Sequence, residues 1–451
     1  MQITVIGAGL AGCEAALWLA GRGVAVDLYE QKPARFSPAH KSAGFAELVC
    51  SNSLKAERPD SASGLLKLEM RALGSRLLDA AECARVAAGG ALAVDRDKFS
   101  AAVTALVEAE PNITVHRQEV TAIDESRPVL VASGPLTDGA LGRAVAALTG
   151  SHRLSFYDAV APIVTADSLD MDKVFAASRY GRGEADYLNC PFNKEEYEAF
   201  YAALIAAERA PRHDFDTPLT VYEGCMPIEV MAARGADTIR YGPLRPVGLR
   251  DPRTGHRPWA VLQLRTENRE RTLFNLVGFQ TNLKFGEQRR VFGMIPGLAH
   301  AEFVRYGVMH RNTFLNSPQL LHADYSFRGR PELFFAGQIT GVEGYMESAS
   351  SGLLAGVNLA RRLEGKEPLV LPETTMMGAL ARYMSGYEGK DFQPMGANFG
   401  VLPPLPEKIR DKRQLYGALA QRGLSDLESC CRDMDEPLLA SAAGAEVEER
   451  V

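Results

Sequence analysis

Seven cysteines stand at positions 13, 50, 83, 190, 225, 430 and 431 of the 451-residue chain, and they are the first residues that could do chemistry. None forms a C-x-x-C pair or a zinc-ligand spacing, so reduced thiols are expected and any reactive one must owe it to its surroundings. Cys50 lies in FAELVCSNSL (45–54), where an apolar turn meets Ser51, Asn52 and Ser53. Those small polar residues could stabilise a thiolate through hydrogen bonds or a helix N-terminus. On the residues alone, a buried and inert thiol is the better reading. Cys225 lies in VYEGCMP between Gly224 and Met226-Pro227, where the chain is expected to turn at a strand end. The other five cysteines read as structural.

A second chemical signature opens the chain. QITVI (2–6) reads as a strand and GAGLAG occupies 7–12; CEAALWLAGRG reads as a helix with Gly23 at its C-terminal end. VAVDLYE (24–30) alternates as a second strand and closes on Glu30. In such a βαβ unit the first glycine makes the tight turn, the second lets backbone approach a pyrophosphate, and the third allows helix–strand packing. The acidic residue is placed to bind a ribose hydroxyl. Gly7, Ala8, Gly9, Leu10, Ala11, Gly12, Glu30, Gln31 and Lys32 are therefore expected to hold a dinucleotide.

The elements that must position these residues are spread widely. Residues 92–123 suggest a helix followed by strands at 113–117 and 119–123, and PVLVASGPLT (128–137) is a further strand. ELFFAGQITGVEGYMESASSGLLAGVNLARRL (332–363) reads as a strand, a turn at Gly337 and a helix of small residues from about 347. The dinucleotide fold thus starts at residue 1 and finishes after 330. A helix N-terminus supplied so late can meet a second polar part of a long cofactor, which suits FAD better than NAD. Val120, Gly134, Gly337, Gln338, Glu347 and Ser351 extend the expected cofactor set. No second G-x-G-x-x-G follows, so no dedicated NAD(P)H domain is expected.

The domain plan is an FAD-binding domain from 1–150, an insertion at 151–320, a return to the FAD-binding domain with C-terminal helices at 321–435, and a disordered tail at 436–451. The insertion has strand-like runs at 159–165 and 259–264 and an acidic helix near 194–209. Arg245, Arg250, Arg253 and Arg257, with the basic cluster at 408–413, are candidate phosphate contacts, although solvated charge is the better reading. A formal net charge of −6 gives no global attraction to nucleic acid, so such a partner needs a local basic face. No apolar run approaches the ~20 residues of a membrane span, and no secretory leader is evident, so a cytoplasmic location is expected. No metal and no obligate protein partner is expected.

Stretches such as VIGAGLAGCEAA, PAHKSAGFAELVCSNSL, AGGALAVDRDKFS, EGCMPIEVMAARG, VGFQTNLKFGEQ, RYGVMHRNTFLNSP and GQITGVEGYMESASSGLLAG run from residue 2 to beyond 360. In them the chain resembles the folate- and FAD-dependent tRNA (uracil-5-)-methyltransferases, the TrmFO family, related to the GidA-type tRNA-modifying flavoproteins. The resemblance implies an α/β fold. It is a Rossmann-like FAD-binding domain of the GidA/glutathione-reductase type, interrupted by an α+β insertion and ending in a helical segment. It implies a one-carbon unit moved from 5,10-methylenetetrahydrofolate to C5 of a T-loop uridine, with reduced FAD as reductant and NAD(P)H as the electron source. Cys50 and Cys225 become the catalytic thiols. Cys50 is favoured to attack uracil C6 and Cys225 to handle the C5 proton, although the reverse assignment is close. His310, Arg311, Asn312 and Tyr345 become candidate substrate contacts. The same chemistry on ribosomal RNA, or a plain FAD-dependent dithiol oxidoreductase, are the alternatives.

Overall fold

A computed structural model describes residues 2–124, 126–150, 153–181, 184–211, 226–389 and 392–439, with backbone alone at 153–158 and 310–311. The strand Gln2–Ile6 sits inside a six-stranded sheet, paired in parallel with Ala25–Tyr29 on one side and Val129–Val131 on the other. Ile113–His116 extends one edge in parallel, and Arg330–Phe335 adds to Val129–Val131 in parallel, so residues more than 300 positions apart complete one sheet. Ile3, Val5, Val26, Leu28, Val129 and Leu333 are all fully or almost fully buried, the pattern of a parallel sheet covered on both faces.

The helix Leu10–Gly21 crosses the helix Tyr345–Leu363 at close range. A Cβ on Gly352 would lie 2.1 Å from the Ala11 carbonyl oxygen, so the small residues of the later helix are demanded by this approach. The crossing brings both helix N-termini to the same edge of the sheet.

A second, antiparallel sheet runs Phe175–Ala176, Tyr187–Phe192, Ala260–Thr266, Leu273–Leu276, Ile163–Thr165 and Phe303–Arg305. It has its own apolar core, packed by the helix Lys194–Ala206, whose Asn193 and Glu196 form a capping box. The two-stranded ladder Arg153–Ala159 with Met309–Leu315 carries the chain out of the first sheet's region and back.

Three expectations are corrected. Residues 119–123 form no strand: Val120 lies in the loop beyond Ile113–His116, where the chain leaves the sheet. The strand expected at 128–137 stops at Val131, because the chain must turn through Gly134, at φ 79°, above the sheet edge. The tail expected from 436 starts with fixed residues. Glu436 is buried against Arg361 at 2.9 Å and Arg22 at 2.7 Å, and the Leu439 N–H donates to the Ala72 carbonyl. Residues 440–451 lie outside the described residues.

Candidate functional site

A long cleft opens at the carboxyl edge of the parallel strands, where doubly wound sheets bind ligands. It encloses about 1420 Å³ of empty space, part of it open to solvent. At one end the three fingerprint glycines divide their work. A Cβ on Gly7 (φ 104°) would sit 2.5 Å from the Ala132 oxygen, and one on Gly12 would sit 1.8 Å from the Gly7 oxygen. A Cβ on Gly9, by contrast, would meet nothing within 4 Å. Gly9 caps the first helix without a side chain, which leaves the first-turn N–H groups facing anion-sized open space.

Glu30 is buried at the end of its strand. Its Oε2 accepts from the Ala8 N–H at 3.2 Å and its Oε1 from the Lys32 N–H at 2.9 Å. Each oxygen keeps a lone pair for a ribose hydroxyl. Lys32 donates from Nζ to the Gly44 carbonyl at 2.6 Å, and Arg35 pairs with Asp138 and Glu119, so the segment after Glu30 is strapped over the cleft. Burial first, then Lys32, pulls His40 below its usual range; its Nδ1 lies 2.6 Å from the Ser37 hydroxyl. An open glycine cradle at a helix N-terminus, with a buried carboxylate beyond it, fits an extended dinucleotide.

Of the expected cofactor set, Gly7, Ala8, Gly9, Leu10, Ala11, Glu30, Gln31, Lys32, Val120, Gly134, Gly337 and Gln338 line the cleft. Gly12, Glu347 and Ser351 do not. Gly12 packs beneath it, and the Ser351 hydroxyl accepts from the Gly337 N–H at 2.8 Å, holding a turn at φ 81°. Glu347 is buried in the first turn of its helix, where its Oε1 accepts from Lys55 Nζ at 2.6 Å and the Ala397 N–H at 3.0 Å.

The opposite end of the cleft is lined by Val49, Cys50, Val160, Asn312, Tyr345 and Ser348. Cys50 is half-buried there, and its backbone is clamped on every side. Its N–H donates to the Tyr345 hydroxyl at 2.8 Å, and its carbonyl accepts from Arg96 Nη2 at 2.8 Å and Arg305 Nη2 at 2.7 Å. The next two side chains are held by a third guanidinium: Arg265 donates to the Ser51 hydroxyl at 2.7 Å and to Asn52 Oδ1 at 2.8 Å. Asn52 in turn donates to the carbonyls of Val94 and Thr266. Among the described residues, Arg96 is the one of the three with a carboxylate in ion-pair contact, buried Glu267 at 2.5 Å. All three guanidiniums interact electrostatically with Cys50. Burial above all, then the charge of Cys50, pushes the Tyr345 phenol well up, so it stays protonated beside the thiol.

Cys225 lies outside the described residues, and so do the side chains of His310 and Arg311, whose backbones pair with Asp158 and Tyr157. Cys13 and Cys190 are wholly buried and burial pushes both thiols well up, which makes them inert. Arg253 is taken up by Asp251 at 2.7 Å, which argues against it as a phosphate contact. Among the described residues no group of side chains could hold a metal ion. Sequence reasoning missed the arginine clamp. Arg96 and Arg305 fall within motif stretches, but nothing in their spacing ties them, or Arg265, to Cys50.

Residues 2–367 match the family model for glucose inhibited division protein A, GIDA. The chain is 58% identical over 426 residues to the methylenetetrahydrofolate–tRNA-(uracil-5-)-methyltransferase TrmFO of Pelotomaculum thermopropionicum, covering 94% of this chain and 97% of that one. It is 57% identical over 427 residues to the protein of the same name from Geobacter sulfurreducens, covering 94% and 98%. Its fold is similar to that of Aquifex aeolicus GidA, with a TM-score of 0.69 at 15% identity, across 96% of this chain and 73% of that chain.

Proposed function

We infer, from the premise that this chain belongs to the TrmFO family of methylenetetrahydrofolate–tRNA-(uracil-5-)-methyltransferases, that its cleft is where a tRNA uridine receives a methyl group on C5. The enzyme takes the one-carbon unit from 5,10-methylenetetrahydrofolate and binds FAD. The glycine cradle and Glu30 would hold the nucleotide half of FAD, and the end lined by Cys50, Asn312 and Tyr345 its reactive half. Reduced FAD bound there would supply the hydride that completes the methyl group, with NAD(P)H as the proposed electron source.

The residues' own task is to make uracil C5 nucleophilic. The Cys50 sulfur adds to C6, its electron pair forming the C–S bond, and the C5–C6 π pair moves into the enolate. C5 then attacks the methylene carbon. Cys225 takes the C5 proton as the methylene carbon's last bond to its nitrogen carrier breaks, which leaves an exocyclic methylene at C5 with Cys50 still on C6; hydride addition to that methylene re-forms the C5–C6 double bond and breaks the C6–S bond, releasing Cys50 as thiolate. Tyr345 and the three guanidiniums hold Cys50 against this cycle. The observation that carries this reading is the site of Cys50: it is the thiol at the end of the cleft remote from the glycine cradle, with its backbone fixed by Arg96, Arg305 and Tyr345.

The test incubates enzyme, NAD(P)H, labelled methylenetetrahydrofolate and undermodified tRNA, and looks for label in 5-methyluridine. A T-loop uridine of tRNA is the expected acceptor, and label in ribosomal RNA instead would redirect the assignment. Turnover of NAD(P)H with no label in any RNA would favour the dithiol oxidoreductase. Among the described residues no helix is long and apolar enough to cross a membrane, and we place the enzyme in the cytoplasm with its RNA.

A further inference from the structure

Beside the Cys50 clamp, three aromatic rings form a ladder on the antiparallel sheet's edge. Phe303 stacks on Tyr306 with centroids 5.3 Å apart and planes 9° apart, and Tyr306 stacks on Phe285 at 4.6 Å and 17°. Phe285 ends the ladder at the protein surface and is 53% exposed. A half-exposed phenyl forfeits much of its hydrophobic gain. This ring is stacked on Tyr306 on one side and open to solvent over about half of its area.

The ladder is fixed to the thiol's support. Tyr306 follows Arg305, whose guanidinium holds the Cys50 carbonyl, so the two Cα atoms are ~3.8 Å apart. Gln288, one turn beyond Phe285, bonds both the N–H and the carbonyl of Gly307, at 2.8 and 2.7 Å. A Cβ on Gly307 would lie 2.7 Å from the oxygen of Val160, which lines the cleft. Arg289 is exposed, donates to the Tyr306 hydroxyl at 2.6 Å, and has no carboxylate partner among the described residues. It supplies positive charge at the ladder's rim.

The enzymatic reading above places a uridine on Cys50. Reaching C6 requires that base to leave its stack, which costs a few kcal/mol and strands its neighbour. We propose that Phe285 receives the flanking base of the substrate RNA, stacking on it while Arg289 meets the adjoining phosphate. The inference rests on the RNA-methylating function, and it assigns a partner to the exposed ladder. Aromatic platforms suit unpaired RNA because every base has a π-face.

The test compares Phe285→Ala, Phe285→Leu and Phe285→Trp holoenzymes with the parent on undermodified tRNA at fixed salt, reading KM and kcat separately. Bound FAD and thermal midpoint serve as the check on folding. KM for tRNA should rise about 5- to 100-fold for Phe285→Ala, the range for losing one base–aromatic stack. Phe285→Leu, apolar but without a π-face, should behave like the alanine variant, and Phe285→Trp like the parent. KM for methylenetetrahydrofolate should not move. An alanine variant with the parent's KM, or a leucine variant that restores it, overturns the proposal. A docking site for a protein partner in place of RNA would show as that first outcome. If the parent itself transfers no label to RNA, the enzymatic reading fails, and the ladder assignment fails with it.

Discussion

Replacing Arg305 with methionine should separate catalysis from stability. The guanidinium donates to the carbonyls of Cys50 at 2.7 Å, Val49 at 3.3 Å and Ala161 at 3.5 Å, while its Nε is buried without a partner. No carboxylate among the described residues pairs with it, and burial, then repulsion from Arg96, pulls it from 12.5 down to about 10. At ~1.4 kcal/mol per tenfold, keeping this cation at neutral pH costs the fold roughly 3 kcal/mol. The sign is that of a depressed base: the cost is full below pH 10 and is relieved as the folded-state group loses its proton between about 10 and 12.5. The bonds return about 1.5–3 kcal/mol, so the two effects nearly cancel. Arg305→Met should therefore unfold within about 1 kcal/mol of the parent at pH 7. Cys50, however, loses one of the two guanidiniums on its carbonyl and the positive charge beside its sulfur. If that positioning is worth the same 1.5–3 kcal/mol in the transition state, kcat falls about 10- to 100-fold with little change in KM. Single-turnover label transfer and denaturant unfolding read the two quantities, and Arg305→Lys, which keeps the charge, should recover part of kcat. A variant with parental kcat, or one that loses activity only in proportion to stability, would refute the positioning argument.

Other outcomes follow from the same geometry. Cys50→Ala should lose methyl transfer and should fail to trap 5-fluorouridine RNA covalently; a variant that still formed the adduct would move the nucleophile to Cys225. Gly9→Ser should fold normally yet lose bound FAD, because its side chain enters open cleft. Gly12→Ala, with a Cβ 1.8 Å from the Gly7 oxygen, should destabilise the apoprotein as well; equal Tm losses for the two would count against this division of roles. Glu69 is fully buried beneath the N–H groups of Met376 and Met377, and burial raises its carboxyl from 4.5 to about 8. The folded chain therefore holds a proton that the unfolded chain releases, and stability falls between pH 4.5 and 8 by up to about 1.4 kcal/mol per unit. The stability difference between Glu69→Gln and the parent should shift toward the variant across that window, and a pH-independent difference would exclude the mechanism.

The glycine end of the cleft was legible because its physics is local. Gly7, Gly9, Gly12 and Glu30 lie within one βαβ unit, and each obeys a steric or hydrogen-bonding rule that a short stretch of sequence displays. The small residues of 345–363 were legible as a pattern, but their reason was not: Gly352 is small because Ala11 approaches it from the other end of the chain. The strand expected at 119–123 failed because alternating apolar residues cannot say where a sheet edge ends. Glu436 was assigned to a disordered tail by its acidic setting, whereas Arg22 and Arg361 bury it.

Cys50 shows the division most sharply. By itself the sequence determined a small polar run around a thiol, a dinucleotide fingerprint ahead of it, and a family likeness that gave the thiol a task. Only the tertiary structure decided what holds the thiol's segment: Arg96 from a helix and Arg305 from a sheet's edge strand reach the Cys50 carbonyl, Arg265 from another strand of that sheet reaches Ser51 and Asn52, and Tyr345 comes from the start of a late helix. Charge acts through space, and no periodicity along the chain records which distant guanidiniums the fold will turn toward one carbonyl.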